Sequence, residues 1–167
     1  MKILYFDTSA VIKEFSPAEV GSDLIDKITT RAREGHLQIV SSVWAINEAL
    51  AVIDRKFRKK EITQPEIQTI MATFGERIAS SSETSNFRYA PIDHNIVSNS
   101  RGLIDQVHIS PDDALHLYTC WVCNCQYFLV HDKHIISNLK LRQFPDFEII
   151  NLGNEQERDY LQYQLGL

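Results

Sequence analysis

Four acids stand where a carboxylate could do chemistry: Asp7, Glu48, Asp113 and Asp132. Asp7 closes the apolar run Ile3-Leu4-Tyr5-Phe6, and Asp132 follows Tyr127-Phe128-Leu129-Val130 with His131 between. Such runs read as strands buried on both faces, and in open parallel sheets ligands bind outside the carboxyl ends of the strands. Each aspartate could equally be the N-cap of a helix that starts just after it. Glu48 lies in Val43-Trp44-Ala45-Ile46-Asn47-Glu48-Ala49-Leu50-Ala51-Val52-Ile53, a helix with so little polar surface that its acid is expected inside. A buried carboxylate must be neutralised, paired or bound to a cation, and Arg55 is one structural partner within reach. Asp113, in Ser110-Pro111-Asp112-Asp113-Ala114, has capping-box spacing from Ser110, which by itself would account for it.

As a set the acids carry more weight than singly. Four carboxylates converging without a cation would repel and raise one another's pKa values. All-oxygen ligands suit Mg²⁺ or Mn²⁺ better than zinc, and Mg²⁺ keeps waters and takes substrate phosphate as a ligand. A centre of that kind is suited to phosphodiester hydrolysis, because the cation orients and activates a water and stabilises charge developing on the phosphate. His116, Cys120 and Cys123 also fall at helical spacing, which raises zinc, but no second ligand pair follows. Small buried apolar cysteines are the stronger reading there.

The elements that must position these acids fit into one domain's length: 167 residues and 19.2 kDa imply one core. With 44% of residues apolar and 23% charged, the chain falls in the globular class and outside the disordered and membrane classes. Strands are expected at 3–6, 37–40, 87–92, 127–130 and 147–152. Helices are expected from Thr8 onward, at 18–34 (with Val20, Leu24, Ile25 and Ile28 on its apolar face), from Val43 towards Lys60, and at 64–79, 95–107, 110–124 and 133–141. Ser80 to Ser85 is a polar connector. Strands alternate with helices throughout, which predicts an α/β fold with a parallel sheet and helices on both faces. Residues 1–152 form the domain, and 153–167 are a polar, partly helical tail of the same domain.

No apolar run approaches the ~18 residues of a membrane span, and the first residues are too short for a signal peptide, so a cytoplasmic protein is expected. The three cysteines, odd in number and within six residues, exclude a secreted disulfide framework. A net charge of −5 excludes bulk coating by nucleic acid, so any such contact must be local. The candidate is the basic run of Arg55, Lys56, Arg58, Lys59 and Lys60, whose bland reading is a solvated helix end with cations matched to the dipole.

Tyr5-Phe6-Asp7-Thr8-Ser9-Ala10-Val11-Ile12-Lys13, then Glu48, then Asp112-Asp113-Ala114-Leu115-His116-Leu117, then Phe128-Leu129-Val130-His131-Asp132-Lys133-His134 together resemble a PIN-domain protein of the VapC-like group. The likeness runs from about Met1 to Leu152 and rests on the order and spacing of all four pieces. It implies a three-layer α/β/α sandwich with a central parallel sheet, Mg²⁺- or Mn²⁺-dependent endoribonuclease activity, and a role as toxin beside a small antitoxin, with homodimerisation. Asp7, Glu48, Asp113 and Asp132 match the acidic quartet as catalytic and metal-binding residues, and Ser9 matches the supporting small polar residue. Val130 departs from the Thr or Ser often found two places before the last acid, which predicts a less firmly held Asp132. Asp112 has no family role and is read as a cap.

Other classes fit less well. A haloacid-dehalogenase phosphatase resembles Asp-x-Asp after the first strand, where this chain has Ser9, and a receiver-like domain needs a central Asp that is not found at a strand end. The serious alternative is a non-catalytic PIN-like module that binds RNA or protein and keeps the acids as remnants.

Overall fold

The computed structural model describes residues 1–80, 85–138, 141 and 146–167. The elements run β1 (Lys2–Phe6), α1 (Thr8–Lys13), α2 (Ser22–Arg33), β2 (Leu37–Ser42), α3 (Val43–Arg58), α4 (Gln64–Ser80), β3 (Phe87–Ala90), α5 (His94–Val107), α6 (Pro111–Val122), β4 (Tyr127–Val130), α7 (Lys133–Ser137), β5 (Glu148–Asn151) and α8 (Glu155–Leu165). The strands form one parallel sheet in the order β3-β2-β1-β4-β5. Chain order reverses between β1 and β4, which makes the crevice at their carboxyl ends the topological switch point of the sheet.

Alternation along the strands builds two cores. Leu4 and Phe6, Ile39, Tyr127 and Leu129 point to one face, where they pack with α1, α2, α3, α4 and α8. Tyr5, Val40, Phe128 and Val130 point to the other, against α5, α6 and α7. Both faces are covered, which is why the strands read as unbroken apolar runs. The result is the expected three-layer α/β/α sandwich.

Cys120, Cys123 and Cys125 are free thiols in the second core, packed with Leu117 and Phe128. In the first core, Arg77 of α4 donates to both oxygens of Glu14, whose carboxylate also accepts from Thr29, and its guanidinium lies over the Phe87 ring. That fork ties α4 to the end of α1 and to β3, a geometry for which arginine is suited.

Some boundaries differ from the expected ones. The helix expected from Ala18 begins at Ser22, because Gly21 adopts a left-handed φ of +85° and a Cβ there would meet the Leu152 carbonyl oxygen at 2.7 Å. Val20 accordingly lies outside the helix and is exposed, not part of its apolar face. Strand β3 stops at Ala90, before Pro91, which has no N–H for the ladder. The helix expected to reach Asn124 ends at Val122, and Asn124 takes a positive φ. Helix α7, expected to reach Leu141, ends at Ser137 with Asn138 as its extended C-cap; 139–140 lie outside the described residues, as does 81–84 of the polar connector. The tail is helical as α8, capped by Asn154, with Leu161 buried in the first core. Among the described residues no helix is long and apolar enough to cross a membrane.

Candidate functional site

Asp7 sits where β1 hands over to α1, and it both caps the helix and faces the switch point. Its Oδ1 accepts from the Ala10 amide at 2.9 Å and the Ser9 hydroxyl at 2.7 Å. Ser9 Oγ in turn accepts from the His131 amide at 2.7 Å, which ties Asp7 to the end of β4 beside the backbone bond from the Asp7 amide to the Leu129 carbonyl. Asp7 is 6% exposed. Burial pushes its carboxyl up to about 6, against the Ser9 and Ala10 hydrogen bonds, and nearby Asp113 adds to the rise.

Asp132, across the crevice, caps α7: its Oδ1 accepts from the His134 amide at 2.7 Å and the Ile135 amide at 3.4 Å. Val130 is fully buried in the second core. The hydroxyl missing at 130 is therefore answered by backbone amides, which hold Asp132 by its Oδ1.

Asp113 lies in the first turn of α6, where its amide donates to Ser110 Oγ at 3.1 Å. The capping reading of this motif is thus realised, but it uses the Asp113 backbone and leaves the carboxylate to other work. Burial raises the Asp113 pKa, and the negative charges of Asp132 and Glu48 raise it further against the Ser110 hydrogen bond. Asp112, its neighbour, is exposed.

Glu48, expected inside α3, is half-buried, its side chain 28% exposed. It lies close to the start of the helix, at the carboxyl edge of the sheet, where the apolar sequence around it still leaves one side open. Its partners are not Arg55 but Thr8, whose hydroxyl donates to Oε2, and His116, whose Nε2 lies 2.8 Å from the same oxygen. Burial pushes the Glu48 carboxyl up, but hydrogen bonds from His116, Thr8 and Trp44 outweigh it and hold the pKa below the usual range.

Neither Thr8 nor His116 was singled out for this site from the sequence. His116 had one available signal: it follows Asp113 by three residues, on the same helical face as that acid, at a position otherwise flanked by core residues. Its imidazole is buried and spans the edge of the sheet, from α6 in one helical layer to α3 in the other.

The four acids are therefore electrostatically coupled at one end of the sheet. The side chain that offsets the rise at Asp7 and Asp113 and lowers the pKa of Glu48 is in each case His116. All donors in this set that face one another are carboxylate or hydroxyl oxygens apart from that ring, a chemistry that suits a hard divalent cation. Among the described residues, no group of three or more His, Cys, Asp or Glu side chains is placed so that it could hold a metal ion.

The basic run ends α3, about 10 to 15 Å along the helix from Glu48 at ~1.5 Å per residue. Two of its cations are engaged: Lys56 pairs with Glu19 at 2.8 Å and donates to Ser16, and Arg58 pairs with Asp54 at 2.9 Å. Arg55, Lys59 and Lys60 are exposed.

No family model and no curated protein matched the sequence. The fold is similar to that of a chain in a toxin-antitoxin complex from Klebsiella pneumoniae, with a TM-score of 0.54 and 17% identity over 89% of this chain and 97% of that one. It is similar also to a chain in the crystal structure of VapBC2 from Rickettsia felis bound to a DNA fragment from their promoter, with a TM-score of 0.56 and 12% identity over 89% and 98%. At such identities the likeness is one of fold, and the PIN-like α/β/α sandwich expected from the four motifs is that fold.

Proposed function

We propose that this chain, built on a fold it shares with chains of two toxin-antitoxin structures, is a divalent-cation-dependent endoribonuclease and the toxin of such a pair. The observation that carries the reading is the coupling of Asp7, Glu48, Asp113 and Asp132 at the switch point, where the carboxylates of Asp132 and Glu48 raise the pKa of Asp113 and that of Asp113 raises the pKa of Asp7. Such repulsion is relieved by a cation. Asp7, Glu48, Asp113 and Asp132 would hold Mg²⁺ or Mn²⁺, which when bound lowers the pKa of a water and offsets charge on phosphate. Ser9 keeps Asp7 and the end of β4 in register, and Thr8 and His116 hold Glu48 by its Oε2. The substrate is single-stranded or loop RNA, cut to leave a 5′-phosphate. The partners are that RNA, a small antitoxin and a second copy of this chain.

The test is cleavage of structured RNA by purified protein with Mg²⁺ or Mn²⁺ and with excess EDTA. Cleavage that requires the cation is expected, and robust cleavage in EDTA would overturn the reading. The non-catalytic alternative draws on a specific observation: no closed metal group exists among the described residues, and Asp7 and Asp132 each spend an oxygen on a helix cap. RNA binding without cleavage under any divalent cation would favour it.

For the basic run, the reading narrows to Arg55, Lys59 and Lys60, since Lys56 and Arg58 are engaged in ion pairs. Replacing Lys59 and Lys60 by Gln is expected to flatten the salt dependence of RNA affinity, by about 0.7 in log–log slope for each phosphate that is no longer neutralised. An unchanged slope would return the run to a solvated helix end.

A further inference from the structure

A line of buried hydrogen bonds runs from the start of α3 through β1 to α6 and back to Glu48. The Ala45 amide donates to Ser42 Oγ at 3.0 Å, and Ser42 shares a side-chain hydrogen bond with the Tyr5 phenol. Tyr5 Oη lies 2.9 Å from His116 Nδ1, and His116 Nε2 lies 2.8 Å from Glu48 Oε2. Tyr5 is fully buried and His116 is 4% exposed.

Donor chemistry gives this line one direction. An ionised carboxylate can only accept, so Nε2 carries a proton. In the neutral ring Nδ1 then accepts, and of the two hydroxyls that face it Tyr5, at 2.9 Å, is nearer than Ser42, at 3.4 Å. Burial keeps the phenol well above its usual pKa, so it remains a donor. Ser42 meanwhile accepts from the helix amide, and with Nδ1 taken by the nearer Tyr5 hydroxyl its own proton is left for the Tyr5 oxygen. The ring is thus held at both nitrogens, and Glu48 is the end of the line.

We propose that His116 is the positioning residue for Glu48: held by Tyr5 in its Nε2–H form, it clamps Oε2 together with Thr8, so that the carboxylate meets a divalent cation in one fixed orientation. Thr8 and His116 both act on Oε2, and Glu48 accepts a further side-chain hydrogen bond from Trp44. A glutamate side chain ordered before the cation arrives removes the ordering cost from binding. The arrangement reverses the familiar one in which a carboxylate orients a metal-bound histidine: here the histidine stands behind and the carboxylate in front. Because His116 and Asp113 share a turn of α6, the same ring also sets Glu48 relative to a second acid. The inference rests on the cation-binding reading above, and its test keeps the two apart.

The first measurement uses the metal-free protein, whose imidazole ¹⁵N–¹H correlation spectrum reports the tautomer of each histidine. The Nε2–H form with a bare Nδ1 is expected for His116. The second is Mn²⁺ binding by calorimetry to wild type, His116→Ala, His116→Gln and Tyr5→Phe, with melting curves to separate folding from affinity. His116→Ala is expected to weaken Mn²⁺ binding about 10- to 100-fold. His116→Gln, whose amide can still donate to Oε2, should recover part of that loss. Tyr5→Phe, which keeps the bulk but frees the ring, should weaken binding by less than His116→Ala. If His116→Ala does not fold, Tyr5→Phe and the wild-type spectrum decide. An Nδ1–H tautomer in wild type, or folded variants with wild-type Mn²⁺ affinity, would overturn this inference alone. A wild type that binds no Mn²⁺ would overturn the cation reading, and this inference with it.

Discussion

Asp113→Asn is expected to lower metal-dependent RNA cleavage about a hundredfold or more, while Asp112→Asn keeps most of it. The two aspartates are neighbours at the start of α6, where either would favour the helix dipole. Successive helical residues point about 100° apart, so they cannot readily serve one site. Asp112 points to solvent, whereas Asp113 is half-buried and feels the charges of Asp132 and Glu48. A neutral amide at 113 is a poorer ligand for a hard cation and withdraws charge stabilisation worth several kcal/mol at the phosphate, hence the size of the loss. At 112 the same change removes at most ~1 kcal/mol of helix-start stabilisation. Cleavage rates of the two purified variants decide the matter: an inactive Asp112 variant beside an active Asp113 variant would place the motif one residue out.

Asp7→Asn should be inactive as well, yet more stable than wild type when no metal is present. The folded-state pKa of Asp7 is raised from 3.8 to about 6 by burial. Below pH ~4 the residue is protonated in both folded and unfolded chains and costs nothing. As pH rises towards 6 the unfolded chain gives up this proton while the folded one retains it, so stability falls; above about 6 the loss is complete. A rise of this size corresponds to about 3 kcal/mol. Asparagine removes the titration, and its Oδ1 can still accept from the Ala10 amide and the Ser9 hydroxyl, so the cap survives. Mg²⁺ should raise the melting temperature of wild type more than that of the variant through linkage. Denaturation midpoints in EDTA at pH 4 and pH 7 test this. The variant should gain on wild type at the higher pH, and a variant weaker at both would mark Asp7 as a structural cap first.

The strands were legible because each lies between two cores, so that Tyr127 to Val130 shows no polar break at all. The carboxyl-end acids were legible for a related reason: a polar residue that ends such a run has to sit at the edge of the sheet. What lay beyond reading was whatever depends on a partner distant in the chain. His116 presented itself beside Cys120 and Cys123 as a ligand at helical spacing, but its hydrogen bonds go to Tyr5 and Glu48 on other elements. Lys56 looked like one cation of a run, yet Glu19 takes it. Gly21 broke the expected helix because of the Leu152 carbonyl, far along the chain. Glu48 was expected inside because its helix offers little polar surface; its depth is set by where α3 meets the edge of the sheet.

The strand order bears on how the molecule comes together. On one side β1 pairs with β2, its neighbour in sequence, but on the other it pairs with β4, joining Leu4, Tyr5 and Phe6 to Tyr127, Phe128 and Leu129. Closing that seam requires most of the chain to be present, and long-range parallel pairing is slow because loop entropy is lost before contacts repay it. Asp7 and Asp132 stand on opposite sides of the seam, which is joined beside them by the Asp7 amide to the Leu129 carbonyl and by the Ser9 hydroxyl between Asp7 and the His131 amide. A chain still emerging from synthesis, with β1, β2 and β3 already paired, holds Asp7 and Glu48 but neither of the other two acids. The site is thus a late product of folding, assembled when the second half of the sheet docks on the first.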